Sequence, residues 1–332
     1  MSNLLPIILY FSRYQDVGRY DGEDSAGRFA RFVNSYKRHP AGHEHELFII
    51  KKGYQEHENI WNDWTRQLDG IPFQTREYPD KYFTSGYIRN LMEEFPDRYI
   101  LVCVATSEIL VDNWLDLFMK HASPNRILGS MGSHWDPIET TDVPPLTLRN
   151  IIRSSHATRR KWWSLLWGHG LRHPFKNTDN FYPGNVPHLR TTTFMLPPRI
   201  LERIFYWPRC ENNLSKNDDI LMEFGKFSLT AQALLAGLEP LVVGADGRSY
   251  TIKEWPESKT FFVSDQENLI VGDHFSRQYE GFPIEGKKKM TEKMLGYGKE
   301  SVDQFIEQVM SSDTSQIETF FLRNAEKFRS DT

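Results

Sequence analysis

The sequence predicts an α/β chain: a mostly parallel sheet with helices on both faces, followed by a helical tail. Three observations predict it. Short unbroken apolar runs, such as Leu47-Phe-Ile-Ile50 and Tyr99-Ile-Leu-Val-Cys-Val104, read as strands buried on both faces. Between them lie segments whose apolar residues recur at helical spacing, so strand and helix alternate through the first half. From about Lys287 onward the strands stop and only amphipathic helical stripes remain.

The elements follow in order. Leu5-Pro-Ile-Ile-Leu-Tyr-Phe11 is the first strand. Phe29, Phe32, Val33 and Tyr36 form one face of a helix, stopped by Pro40 and Gly42. The second strand, ending at Ile50, runs into Lys51-Lys-Gly53; residues 54–69 read as helix and Ile71 to Glu77 as a third strand. Tyr87, Ile88, Leu91, Met92 and Phe95 are helical, the run to Val104 is the strongest strand, and a helix opens at Trp114. Arg126-Ile-Leu-Gly-Ser130 is a short strand. Ligands of such sheets bind at the carboxyl ends of the strands, so the loops after Phe11, Ile50, Val104 and Ser130 are expected to line a site.

Residues 137–187, rich in Pro, His, Arg and Trp, interrupt the pattern and read as an insertion covering that site. A strand over Leu189 to Leu196 resumes the order. Pro197-Pro198 then opens a helix with Ile200, Leu201, Ile204 and Phe205. One helix from about Ile220 to Ala236, ended by Gly237, leads into the strand Pro240 to Val243. In the tail, Val302, Phe305, Ile306 and Val309 make one stripe, and Ile317, Phe320, Phe321 and Phe328 another. Packing on their own domain is the default for these helices, and a homodimer contact is the second option.

Composition bounds the function. Hydrophobic residues at 39% suffice for a core, and a net charge of −4 gives no footprint of a nucleic-acid binder. Two cysteines, Cys103 and Cys210, cannot make a disulfide framework and fit a reducing, cytoplasmic setting. No apolar stretch approaches the ~20 residues of a membrane span. The apolar start lacks a basic n-region and reads as a strand, not a signal peptide. Nine tryptophans are compatible with stacking on sugar rings, but composition alone favours core packing. No P-loop, Gly-x-Ser-x-Gly or Gly-x-Gly-x-x-Gly is present. His43-Glu-His45 and the pair His169 and His173 lack the further ligands that zinc requires.

The order of strand, helix, Lys51-Lys-Gly53 loop, strong strand and then Asn113-Trp114-Leu115 resembles the nucleotide-binding half of GT-A glycosyltransferases, family 2 included. The second half is similar to a group of largely uncharacterised bacterial polysaccharide-locus proteins of that fold. The similarity lies in His188-Leu-Arg-Thr-Thr-Thr-Phe-Met195, Glu223-Phe-Gly-Lys-Phe-Ser-Leu-Thr230, Leu241-Val-Val-Gly-Ala-Asp-Gly247, Trp255-Pro-Glu-Ser258 and Asp265-Gln-Glu-Asn-Leu269. The resemblance covers roughly residues 4–280. It implies a GT-A domain over 1–280 and a helical tail over 281–332. Within the domain, 1–135 is the nucleotide-sugar-binding half, 137–187 a lid and 188–280 the acceptor half.

The resemblance implies an inverting transfer with Glu223 as general base, and Asp218 and Asp219 as its rivals. The bland reading makes Glu223 a first-turn helix acid and the aspartates an N-cap pair. Most GT-A enzymes hold Mg²⁺ or Mn²⁺ with Asp-x-Asp after the strong strand. Here that place reads Val104-Ala-Thr-Ser-Glu-Ile-Leu110, so only Thr106, Ser107 and Glu108 offer oxygens. The alternative is a metal-independent enzyme whose cations hold the leaving diphosphate, with Arg190 and Lys226 ahead of Arg13 and Arg248. Ser12, Arg13, Tyr14, Lys51, Gly53, Asp80 and Arg89 are the expected nucleotide neighbours. The implied partners are a nucleotide-sugar donor and a glycan or lipid-linked acceptor. Arg159-Arg-Lys-Trp-Trp-Ser-Leu-Leu-Trp167 could touch a membrane interface or form a lid helix. A nucleotidyltransferase and a non-catalytic glycan-binding protein are the competing readings.

Overall fold

A computed structural model describes residues 24–81, 83–134, 178–182, 184, 186–212, 216–295 and 299–329; of strand 7–13, and of residues 178, 299–300 and 327–329, it describes the backbone alone. Of the expected insertion, 137–187, all but 178–182, 184 and 186–187 lies outside the described residues, the basic Trp-rich run, His169 and His173 included, and so do Trp135 and Tyr14.

The strands are β1 (Ile7–Arg13), β2 (Glu46–Lys52), β3 (Gln74–Tyr78), β4 (Ile100–Cys103), β5 (Glu108–Ile109), β6 (Arg126–Gly129), β7 (Gly132–Ser133), β8 (His188–Leu189), β9 (Thr193–Leu196), β10 (Glu239–Val243), β11 (Ser249–Tyr250) and β12 (Val271–Gly272). Eight of them form one sheet in the order β11-β10-β6-β9-β4-β1-β2-β3. β1, β2, β3, β4, β6 and β10 run in one direction, while β9, wedged between β4 and β6, and the edge strand β11 run against it. This is the expected α/β class with a mostly parallel sheet.

Alternation along each strand sends successive side chains to opposite faces. Ile100, Val102, Phe194, Leu196 and Val242 join one core, and Leu101, Cys103, Met195, Leu241 and Val243 the other. The second core is covered by α1 (Ser25–Arg38), α2 (Glu58–Thr65) and α4 (Trp114–Met119) through Phe29, Phe32, Trp61 and Trp114. The first is covered by α3 (Thr84–Glu94), α5 (Lys216–Phe224) and α6 (Leu229–Leu235). α7 (His274–Glu280) and α8 (Ile284–Leu295) enclose a third, smaller cluster around Met131, Phe262 and Tyr279. Cys103 is wholly buried, and burial pushes its thiol up to about 12.

The tail helices α9 (Lys299–Met310) and α10 (Ile317–Arg329) pack on their own domain. Val302, Phe305, Val309, Ile317, Phe320 and Phe321 all belong to the first core, with Ile306 packed against it, so the described side chains of both apolar stripes are covered within the chain.

Two expected helices differ. The single helix from Ile220 to Ala236 is two, α5 and α6. The Gly225 amide still closes on the Leu221 carbonyl, but the Lys226 amide is drawn to the Asn180 carbonyl at 2.7 Å. Ser228 then caps α6 by accepting from the Ala231 amide. The helix expected after Pro197-Pro198 is only a turn over Ile200–Glu202. Arg199 donates its amide to Pro96 at 2.6 Å and takes a left-handed conformation (φ 55°), which sets the chain off a helical path.

Candidate functional site

The carboxyl ends of the parallel strands meet the chain segment that leads into β9. That segment, 188–192, is fixed at several points. β8 pairs with β7, setting Ser133 opposite His188. The Arg190 amide donates to the Met131 carbonyl at 3.0 Å, and the Ser130 amide to the Thr193 carbonyl at 3.2 Å. The Val104 amide donates to the Thr192 carbonyl at 3.1 Å. The loops after β4 and β6 are thereby laced to one buried polar strip.

Arg190 and Glu223 face each other across this strip. Arg190 Nη1 lies 2.7 Å from Glu223 Oε1, with the side chains only 6% and 13% exposed. The contact is an ion pair by distance, but its angle falls outside hydrogen-bond geometry, which leaves Oε1 without a hydrogen-bond partner among the described residues. Arg190 Nε is in the same condition. The guanidinium lies against the rings of Phe275 (4.9 Å) and Phe261 (5.3 Å). Burial pushes the Glu223 carboxyl up, but Arg190, helped by His188, Lys216 and the Thr191 hydroxyl, more than reverses this, and it sits below the usual carboxylate range.

Glu223 stands in the last turn of α5, not in a first turn. A carboxylate there opposes the helix dipole, so the helix itself does not account for it. His188, wholly buried, lies beside it. Burial pushes its imidazole down to about 4, against an upward pull from Glu223. It is therefore neutral near pH 7. Its Nδ1 lies 2.6 Å from the Val186 carbonyl, which fixes Nδ1 as the donor and Nε2 as an acceptor. Nε2, Ser130 Oγ and Thr192 Oγ1 are buried without a hydrogen-bond partner among the described residues. Buried polar atoms in native proteins are normally satisfied, so such a group in one strip calls for a polar ligand or water.

The other expected site residues divide. Asp219 is committed elsewhere. Its Oδ1 accepts from the Ser85 amide (3.1 Å) and hydroxyl (2.8 Å), and its Oδ2 from the Thr84 amide (3.3 Å), so it caps α3 and not its own helix. Asp218 is buried in the first turn of α5. Lys226, in the break between α5 and α6, lies over the rings of Tyr182 and Phe227. Thr106 Oγ1 is 3.1 Å from His274 Nδ1, and Ser107 Oγ donates to the Thr192 carbonyl at 3.3 Å. The Glu108 carboxylate faces two guanidiniums, Arg277 at 3.4 Å and Arg31 at 3.7 Å.

Lys51 is turned toward Glu58 and Glu77. Its neighbour Lys52 lies 3.7 Å from Asp80 and over the Phe83 ring. Gly53 has a φ of 75°, and a Cβ there would stand 3.2 Å from Asp80 Cβ. Arg89 donates to the Trp207 carbonyl at 2.6 Å and pairs with Glu93 at 2.9 Å, tying α3 to the 203–209 loop. Arg248 lies over the Tyr250 ring. Of Ser12 and Arg13 only the strand backbone is described.

The motifs of the second half buttress the carboxyl end of β10. Asn268 donates to the Ser258 carbonyl at 2.8 Å and accepts from the Asp246 amide at 2.8 Å. Gly244 sits against it so closely that a Cβ would stand 2.2 Å from Asn268 Nδ2. Trp255 is 1% exposed, which settles it as core, and it covers Gly132 in the loop after β6.

His188, Ser130 and Thr192 were not singled out by sequence reasoning. The signal was weak: His188, Arg190 and Thr192 share a two-residue spacing, but Thr191 and Thr193 are polar too, and Thr191 and Thr192 lie in a turn.

No protein-family model matches the chain, and no curated protein does. Solved structures with a distant likeness include 4-diphosphocytidyl-2C-methyl-D-erythritol synthase from Anaerococcus prevotii (11% identity, 40% of this chain and 56% of that one, TM-score 0.28). Mouse xyloside xylosyltransferase 1 is similar over 60% of this chain and 69% of its own, at 10% identity and a TM-score of 0.30. CMP:2-keto-3-deoxy-manno-octonic acid synthetase is similar over 72% and 88%, at 8% identity and a TM-score of 0.35. The chain thus spans little more than half of the first of these. At such TM-scores the likeness says nothing about chemistry, and the fold class rests on the chain's own strand order and direction.

Proposed function

We propose that this chain is a glycosyltransferase of GT-A type that moves a sugar, with inversion, from a nucleotide-sugar donor to a glycan or lipid-linked glycan. The observation that carries the reading is the buried Arg190–Glu223 pair at the carboxyl end of the sheet, where ligands of such sheets bind. The acceptor hydroxyl oxygen attacks the anomeric carbon as the bond from that carbon to the diphosphate oxygen breaks. The bonding pair leaves with the diphosphate, and the hydroxyl proton passes to Glu223. Arg190, with Lys226, stabilises the departing charge. His188 Nε2, Ser130 and Thr192 offer acceptors and donors to sugar hydroxyls.

The residues after β4 do not fit a divalent cation. Glu108 is paired with two arginines, and no three His, Cys, Asp or Glu side chains converge among the described residues. The reaction is therefore written with cationic side chains alone. Among the described residues no helix is long and apolar enough to cross a membrane. Action in the cytoplasm or at the inner membrane face, in polysaccharide assembly, belongs to the same proposal.

The same pairing of Glu108 favours a second reading, a glycan-binding protein without catalysis. A panel of UDP, GDP, dTDP and CMP sugars, read first by thermal shift and then by transfer, separates the two. Glu223→Gln should abolish transfer and leave the donor-induced shift. A stabilised protein with no transfer to any acceptor glycan tried favours the second reading. No shift with any nucleotide overturns the donor assignment.

A further inference from the structure

We infer that Arg190 holds Glu223 in a masked pair until a nucleotide diphosphate takes the guanidinium, so that donor binding itself unmasks the base. The inference rests on the glycosyltransferase reading and adds an order of events to it. The two groups lie 2.7 Å apart and nearly out of solvent. A carboxylate beside a guanidinium is stabilised as the anion and is a weak base. The pair is nonetheless incompletely satisfied. Glu223 Oε1 and Arg190 Nε lack hydrogen-bond partners among the described residues, so the guanidinium has donor capacity that the carboxylate does not use. The Phe261 and Phe275 rings give it a flat seat that demands no particular anion.

The charged or titratable groups that bear on Glu223 are Arg190, His188 and Lys216, with a hydrogen bond from Thr191. His188 stays neutral above about pH 4, and Lys216 is largely exposed. Once a diphosphate engages Arg190, the upward push of burial on Glu223 is no longer outweighed, and its proton affinity rises. Arg190 then serves the diphosphate while the carboxylate faces the acceptor hydroxyl.

The test is calorimetric titration of the full chain with UDP-glucose, GDP-mannose and dTDP-glucose at pH 5.5 and 7.5, each in two buffers of different ionisation enthalpy. The binding sugar nucleotide should take up a substantial fraction of a proton at pH 5.5 and less at pH 7.5. Glu223→Gln, checked for a native melting curve, should bind without that uptake. Arg190→Gln, whose Glu223 starts unmasked, should also lose the uptake while binding more weakly. Binding with equal proton uptake in wild type and Glu223→Gln overturns the switch and leaves the donor reading standing. Absence of binding by every sugar nucleotide overturns both.

Discussion

Asp219 Oδ1 accepts hydrogen bonds from both the amide and the hydroxyl of Ser85, across 134 positions of sequence. The carboxylate on α5 thus closes the open end of α3 and locks the two helices together. Replacing a capping aspartate typically costs about 1 kcal/mol. Asp219→Ala should lower the unfolding free energy by about that amount in denaturant titration. Turnover per folded molecule should hold. Loss of transfer with unchanged stability would instead restore Asp219 as the rival base.

His188 makes stability depend on pH. Its pKa falls from an ordinary 6.5 to about 4 in the folded chain. The unfolded chain therefore binds a proton that the folded chain refuses between those two values. The stability is complete above about 6.5 and declines as pH falls toward 4, by roughly 3 kcal/mol in all. His188→Asn should flatten this slope in unfolding curves taken from pH 4.5 to 7. A slope that survives the substitution assigns the effect to another group.

Gly132 is tightly constrained. A Cβ there would stand 2.5 Å from Trp255 Cδ2, inside the contact distance of any packed pair. Gly132→Ala should cost about 1–3 kcal/mol by overpacking. Gly70→Ala is the wrong control despite its open surroundings, since φ is 79° there. Gly286→Ala, whose added methyl meets Phe282 Cβ at 3.2 Å in an exposed helix start, should be much milder in a thermal melt.

Glu108 gives the metal prediction. Its carboxylate already neutralises Arg277 and Arg31, so EDTA should leave transfer unchanged and Mn²⁺ should not raise it. Glu108→Gln should weaken the link between β5 and α7 and cost stability before activity. A transfer rate that collapses with EDTA and returns with Mn²⁺ would mean that the loop rearranges to bind the cation.

The sheet was legible in the sequence because buried parallel strands write themselves as apolar runs, and Leu47 to Ile50 and Tyr99 to Val104 are both there. What the sequence concealed was tertiary. Gly225 looked like a helix interior because Ile220 to Ala236 keeps helical spacing throughout; the capture of the Lys226 amide by Asn180 breaks it. Arg199 turned a well-formed Pro-Pro start into a brief turn for a similar reason. Site residues suffered the same blindness. Glu223 and Arg190 were singled out separately, with nothing in their spacing to show that they touch. Arg89 and Lys51 were read as nucleotide neighbours, and their partners Trp207, Glu58 and Glu77 come from other elements or distant loops.

The last helix reaches back to the candidate site. Phe320 meets Phe227 edge-on at 5.2 Å, and Phe321 stacks on Tyr206 at 4.7 Å. Phe227 follows α5 in the chain and Tyr206 precedes it, so α10 grips the segments on both sides of the helix that carries Glu223. Loss of α10 would therefore release both flanks of α5 together, so the tail acts as a clasp on the helix that carries Glu223.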